Sequence, residues 1–252
     1  MPNWVNGDYA IKGSKKNVLN FLNEGLKNSG CEPQKTCKKA FELLLANAKT
    51  KSCDFGYGEN AKGTSADNPA NIILENKLTL DTFRPMPDTF YMYDTTNREK
   101  NMPEIAAMQK KEYGAVGWYD YGTYIHRGTK WNADLESVEL VTDKTTATFK
   151  FHCDTAWSDP DCWLRWVKET FKVNVFLCVH EESNAFNFYG EIDYKEEDYE
   201  DFSEIEGRPE EDDFDSDDEY WDALSEWQSE CIEEMSDKFQ DFVSEYDIDD
   251  FD

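Results

Sequence analysis

Apolar residues recur along this chain at two spacings, and the switches between them mark out the elements. Val5 to Ile11 mixes apolar and polar positions and stops at Gly13, which predicts a first strand. Ser14 suits an N-cap, and Val18, Leu19, Leu22 and Leu26 make a helical stripe closed by Gly30. Phe41, Leu44, Leu45 and Ala48 mark a second helix over 36–49, and the Gly- and Asn-rich stretch 53–70 reads as a loop. Leu78, Leu80 and Thr82 alternate up to Pro85, predicting a strand, and Pro103 opens a helix through Lys111. Residues 114–133 are aromatic and glycine-rich and read as a packed loop. Val138 and Leu140 then lie on one strand, Asp143-Lys144 turns it, and Ala147, Phe149, Phe151 and Cys153 alternate on the next. Asp159-Pro160 starts a helix to Phe171 with Trp163, Trp166 and Val167 inward. Val173, Val175, Leu177 and Val179 form a strand, with Phe186, Phe188, Gly190 and Ile192 as its hairpin partner.

The last stripe is the longest. Tyr220, Leu224, Trp227, Cys231, Met235, Phe239, Phe242 and Tyr246 recur every three or four residues, aligned on one helix face. Ser216 with Glu219 has capping-box spacing just before this run. A helix over 217–246 follows, roughly 45 Å long at about 1.5 Å per residue. The element order fits an α+β fold: a ferredoxin-like antiparallel sheet with helices on one face and insertions. Residues 1–194 make that domain, and 195–252 make an acidic segment carrying the long helix.

Charge sharpens the division. The chain carries 54 acids against 26 bases, a net of −28. Residues 195–252 hold 27 of those acids and three bases (Lys195, Arg208, Lys238), a net of −24, which leaves −4 for the rest. Residues 196–219 alone hold fifteen acids, with Gly207-Arg208-Pro209 as the only breaker, and read as irregular. Solvating tails are poor in aromatics. This segment has ten, including Trp221 and Trp227.

Composition excludes several classes. Hydrophobic residues at 39% and aromatics at 15% suffice for a folded core despite a mean hydropathy of −0.81. Seven scattered cysteines read as reduced thiols, not as a disulfide framework. The opening Met-Pro-Asn-Trp-Val lacks the regions of a signal peptide, and no apolar run approaches the roughly 20 residues of a membrane span. The expectation is a cytoplasmic protein that binds neither membranes nor nucleic acid directly, because its charge repels both.

Candidate chemistry is sparse. His152 and Cys153 are adjacent on a strand and point to opposite faces, with Cys153 on the apolar one. His180 and Cys178 share a face but supply two ligands at most, and Cys31, Cys37 and Cys53 lack paired CxxC spacing. No metal site and no cofactor is expected. Gly58 to Ser65 has the outline of a P-loop, yet Thr64 stands where the phosphate-binding lysine belongs. No nucleophile elbow or zinc-protease motif is present, so the reading is non-enzymatic.

Three motifs in order carry a family resemblance: Met1-Pro2-Asn3-Trp4 before a strand ending in Gly13, Gly128-Thr129-Lys130-Trp131-Asn132-Ala133, and Asp154-Thr155-Ala156-Trp157-Ser158. Over roughly 1–194 the chain resembles Api92-like proteins with a YubB-type ferredoxin-like domain, found in phages and plasmids. It departs from that pattern at Val5, often Cys, and at Ser158-Asp159-Pro160 in place of a proline pair. The resemblance implies a mobile-element protein in a bacterial cytoplasm and brings no activity with it.

Two surfaces are candidates for function. The first is the acidic segment, where Glu210, Glu211, Asp212, Asp213, Asp215, Asp217, Asp218 and Glu219 lie beside Trp221 and Trp227. Carboxylates on a helix imitate a nucleic-acid charge lattice, and neighbouring aromatics supply anchors. The partner expected is a basic host protein, nucleic-acid-binding or defence-related, that the chain inhibits by mimicry. The second is the aromatic loops, Trp118, Trp131, Asn132 and Trp157, as a small-ligand or nucleotide site. The apolar stripe at 221–242 serves equally to dock the helix on its own domain, on a partner, or in a homo-oligomer.

Overall fold

A computed structural model describes residues 3–28, 53–54, 78–91, 102–182, 187–193, 207–214 and 216–248. Strand β1 (Trp4–Ser14) is central and leads into helix α1 (Lys15–Asn28), where Ser14 Oγ accepts from the Asn17 N–H at 3.3 Å. Two residues, Cys53–Asp54, form β2. Short helices α2 (Leu80–Phe83) and α3 (Asp88–Tyr91) precede α4 (Pro103–Tyr113) and α5 (Gly117–Tyr121), the last running into a π turn at Gly122–His126. The hairpin β3 (Glu136–Thr142) and β4 (Thr146–Ala156), helix α6 (Asp161–Phe171) and the hairpin β5 (Asn174–Glu181) and β6 (Asn187–Glu191) follow. A 3₁₀ turn at Glu211–Asp213 leads to α7, Asp217–Glu245.

The sheet order is β2-β3-β4-β1-β5-β6, antiparallel at every pairing. Within it β1, α1, β3, β4, α6 and β5 form a β-α-β-β-α-β unit with β1 between β4 and β5, which is the ferredoxin-like arrangement. Residues between α1 and β3 are the insertion.

One face of the sheet is covered by α1 and α6. Val5, Tyr9, Ile11, Phe149, Phe151, Val175 and Leu177 meet Val18, Phe21, Trp163, Leu164 and Val167 there. Phe21 stacks on Phe83 at 4.4 Å, and the Trp163 indole N–H is satisfied by the Leu80 carbonyl at 2.9 Å. Gly25 makes the Phe21–Phe83 stack possible, because a Cβ there would collide with the Phe83 ring.

The second face explains a local anomaly. β1 alternates buried and half-buried positions until Tyr9, Ala10 and Ile11, which are all buried. An uninterrupted buried run means cover on both sides. Helix α7 supplies the second cover: Cys231, Met235, Phe239 and Val243 pack on Ala10, Phe176 and Cys178, with Trp227, Phe242 and Tyr246 partly buried around them. Lys12 Nζ donates to the carbonyls of Val243 (2.6 Å), Ser244 (3.2 Å) and Tyr246 (2.8 Å), placing a cation on the helix C-terminus. Tyr246 OH donates to Glu191 at 3.0 Å, and Lys150 donates to Gln240. The stripe therefore docks in cis.

Two expectations need correction. Residues 78–82 are not a strand: Thr79 makes a single bridge to Asp134, and then Thr79 and Thr82 form a reciprocal capping box that starts α2. Local capping outweighs three alternating residues. Residues 114–133 are not simply a loop, since they contain α5 and the π turn, with Gly114 (φ 82°) closing α4. Within 53–70, Cys53–Asp54 pairs with β3. The rest of that segment, the helix at 36–49 and the P-loop-like outline lie outside the described residues.

Phe239 is 1% exposed at the centre of the α7–sheet contact. Phe239→Ala should cost about 3–5 kcal/mol in urea unfolding by cavity formation, whereas Glu226→Gln on the exposed face should stay within about 0.5 kcal/mol. Equal, small effects would mean that α7 is not docked in solution.

Candidate functional site

The acidic surface is built outward from that docking. Between Asp217 and Glu245 there are eleven acids, every one exposed, and one base, Lys238, paired with Glu234 at 3.2 Å. Asp222, Glu226, Glu230, Glu233, Asp237, Asp241 and Glu245 follow one another at steps of three or four, a single row opposite the buried stripe. Asp217, Asp218 and Glu219 occupy the first turn, where the helix dipole favours carboxylates, and Ser216 Oγ accepts from the Glu219 N–H at 3.3 Å. Glu210 and the turn Glu211, Asp212 and Asp213 are exposed just before it, and Asp215 lies outside the described residues. Trp221 is 61% exposed beside Tyr220 (5.2 Å), which meets Phe214 at 5.9 Å. Trp227 turns the other way and packs with the cluster against the sheet.

The aromatic loops divide. Trp118 is half-buried against Met86, Phe90, Ala115 and Tyr121. Asn132 Oδ1 accepts from the Asp81 N–H at 3.0 Å. Trp131 (39% exposed) and Trp157 (50% exposed) come to the same end of the sheet as Trp4. Trp4 lies opposite Ala156 in the β1–β4 ladder, and its ring is 5.9 Å from Trp131. The loops are laced together: Thr129 Oγ1 donates to the Ala156 carbonyl (2.9 Å) and accepts from its N–H (3.1 Å). Ser158 Oγ donates to the Gly128 carbonyl (2.6 Å), and the Trp157 N–H donates to the Asn3 carbonyl (2.9 Å). Trp157 has φ 75°, a left-handed conformation that costs a non-glycine residue about 1–3 kcal/mol. Lys130 Nζ stands 5.1 Å from the Trp131 ring and 5.7 Å from Tyr119. Sequence reading missed Trp4, Tyr119 and Lys130, because only the strand register shows that Trp4 reaches the 128–131 loop.

Beneath these loops lies a buried polar group. Arg127 grips Asp81 in bidentate fashion (2.7 and 3.1 Å), and Arg84 donates to the His126 carbonyl at 2.5 Å. His126 is 1% exposed, and burial pushes its pKa down to about 4. Asp81 at 3.8 Å pushes it up, against burial and the smaller effects of Arg84 and Arg127. On the α7 side of the sheet, His152 stands between Asp154 (3.0 Å) and Asp8 (2.9 Å), and hydrogen bonds to both carboxylates raise it to about 10. His126 is thus a buried neutral ring, while Asp8 and His152 line a groove of about 390 Å³ with Glu139, Lys150 and Gln240.

Among the described residues the thiols offer no nucleophile. Cys153 and Cys178 are buried and pushed up, Cys178 to about 12, and half-buried Cys162 rises to about 11, each chiefly by burial. Among the described residues no group of three or more His, Cys, Asp or Glu side chains is arranged to hold a metal ion. A groove of about 630 Å³ between α4 and the π turn is lined by Ala106, Ala107, Val116, Tyr124 and Ile125. Its polar side chains are Asp120, Tyr124 and Lys110, and Lys110 donates to the Gly114 carbonyl at 2.8 Å. Among the described residues no helix is long and apolar enough to cross a membrane.

The fold and surface together define a ferredoxin-like domain faced by an acidic helix. No protein-family profile matches the sequence, and no curated protein matches it. The chain is similar to a solved structure, the protein api92 from Yersinia pseudotuberculosis of family DUF1281, at 10% identity and a TM-score of 0.32. That likeness covers 80% of this chain and 97% of the other.

The two shifted histidines set opposite pH limbs. His152, raised from 6.5 to about 10, gives stability that is complete below 6.5 and is lost as pH rises towards 10. With its ring 30% exposed and its carboxylates 43% and 50% exposed, solvent screening holds this to about 1 kcal/mol. His126, lowered to about 4, does the reverse: its contribution is full above 6.5 and falls away as pH drops towards 4. His152→Gln should flatten the alkaline limb in denaturant melts, and imidazole NMR at pH 8 should show His152 charged and His126 neutral. Both rings neutral at pH 8 would remove the Asp8–His152–Asp154 bridge from the account.

Proposed function

We propose that this protein is a non-enzymatic inhibitor that presents α7 to a basic, nucleic-acid-handling protein in place of nucleic acid. The observation that carries the reading is the acid row itself. Eleven exposed acids on 29 residues, roughly 43 Å of helix, amount to about one charge per 4 Å. Duplex DNA presents one per about 1.7 Å of axis and each strand one per 3.4 Å. The helix therefore imitates one strand in density, not the duplex. Docking in cis matters as much as the count. The row is held rigid by the sheet before any partner arrives, so binding avoids the cost of ordering it. Exposed Trp221 beside Asp217 and Asp218 provides the apolar anchor that charge steering lacks.

The resemblance of the opening motifs to phage and plasmid proteins supports a setting in the bacterial cytoplasm, with a host defence protein as target. On this reading the chain binds neither nucleic acid nor membranes itself, because a net −28 opposes both.

Removing residues 195–252 would strip cover from Phe176 and Ala10, so charge substitutions are the cleaner test. A full-length variant carrying Asp222→Asn, Glu226→Gln, Glu230→Gln, Glu233→Gln, Asp237→Asn and Asp241→Asn should fold and melt no earlier than the wild type, because it relieves the like-charge pairs along the helix. It should lose at least about tenfold in affinity for a basic host protein captured by the wild type at low salt. The wild type should also displace nucleic acid from that protein, and about 0.5 M salt should abolish the effect. Undiminished binding by the neutralised variant would end the mimicry reading.

A further inference from the structure

The end of the sheet where β1 begins and β4 ends holds three partly exposed tryptophans, and their arrangement is not that of packing side chains. Trp157 is half exposed yet sits at φ 75°. A buried indole would offset that strain by the area it removes from water, but this one leaves half its surface outside. The strain is imposed by its surroundings: the Asn3 carbonyl takes its N–H at 2.9 Å, Thr155 Oγ1 donates to the Ser158 carbonyl at 2.8 Å, and Ser158 is tied to Gly128. Strain held by a hydrogen-bonded frame, with the side chain outward, is the mark of a positioned binding group.

Lys130 adds a charge. The chain has about two acids for every base, yet among the described residues no carboxylate lies within 4 Å of this ammonium. It rests instead over the rings of Trp131 and Tyr119, which partly strip its hydration.

We propose that Trp4, Trp131 and Trp157 with Lys130 form a binding platform for a mononucleotide, the base stacked on an indole and the phosphate on the Lys130 ammonium. Charge complementarity chooses this occupant. A neutral sugar would leave Lys130 without a counter-ion, and a second cation would be repelled by it. A single strand of nucleic acid would bring a run of phosphates against a chain of net −28, whereas a mononucleotide brings about two charges to the Lys130 ammonium. Stacking is tolerant of base identity, so the platform takes all four bases with modest preference. This site shares no residue with the acid row and stands or falls independently of the inhibitor reading.

The test is calorimetric titration of the full chain with AMP, GMP, CMP and UMP beside adenosine and ribose 5-phosphate, with indole N–H resonances followed by NMR. Saturable binding of a monophosphate, at least about fivefold weaker for adenosine and weaker still for ribose 5-phosphate, is expected. Trp157→Ala, Trp131→Ala and Lys130→Gln should each weaken AMP about tenfold, and Tyr124→Ser, on an exposed tyrosine outside the platform, should not. Should Trp157→Ala melt early, Trp131→Ala and Lys130→Gln decide the matter. Absence of saturable binding by all four monophosphates would overturn the proposal. So would equal affinity in the variants, ribose 5-phosphate binding as well as AMP, or preference for a neutral oligosaccharide.

Discussion

Everything distinctive about this molecule depends on the contact between the apolar stripe of α7 and the second face of the sheet. A sheet with helices on one side only would leave Ala10, Phe176 and Cys178 in water, and α7 alone would be a helix covered in like charges. Seven acid pairs lie four apart along it, Asp218/Asp222 through Asp241/Glu245, and each costs about 0.2–0.5 kcal/mol. Burying Met235, Phe239 and Val243 contributes roughly 1.5–3 kcal/mol apiece. Burial wins by a clear margin. The sheet thus stabilises a helix whose charges oppose it, and the helix completes a sheet that would otherwise be half dressed.

Electrostatics then refines the fit at the ends. The first turn carries Asp217, Asp218 and Glu219 where the dipole welcomes them, and the C-terminus carries Glu245 and Asp247 where it does not. Lys12, reaching from β1 to three carbonyls of the last turn, supplies the missing cation. Its partial burial lowers its own pKa, which Asp247 and Asp143 resist. The β1–α7 contact is therefore polar at the rim and apolar at the centre, and fixes the helix's position along the sheet as well as its attachment.

The sequence made most of this legible where periodicity was long. Helix α7 begins at the residue after Ser216, as its cap spacing implied, and ends at Glu245, one residue from the expected position. Helix α6 and the strands of 136–192 form where their patterns required, and β4 alternates with Cys153 inward and His152 outward, while β5 is buried on both faces because α7 covers the second. The failures were short. Leu78, Leu80 and Thr82 alternate as a strand would, but the Thr79–Thr82 box captured them for a helix. Residues 117–126 hid a helix and a π turn because four aromatics and two glycines give no clear period. The choice among cis docking, partner docking and dimerisation was beyond the sequence in principle. It depends on whether an uncovered apolar face of matching length exists elsewhere in the chain, which only the register of β1 against β5 reveals.

The same register explains why the candidate sites were only half visible. Trp131 and Trp157 stand out in glycine- and serine-flanked loops, but Trp4 stands just before the predicted strand, with nothing local to join it to either loop. It becomes part of the surface because β1 runs antiparallel to β4, so that the start of one strand meets the end of the other. That pairing brings Asn3 to Trp157 and Trp4 to Trp131, while Thr129 and Ser158 bind the two loops together. The acid row needed no such long-range information, since a single helix sets both its spacing and its exposure. One surface is written in local periodicity and the other in strand pairing, so the helix that carries the acids was legible beforehand, although the sequence pointed to 210–219 and the inward-packed Trp227 in place of the row from Asp222 to Glu245.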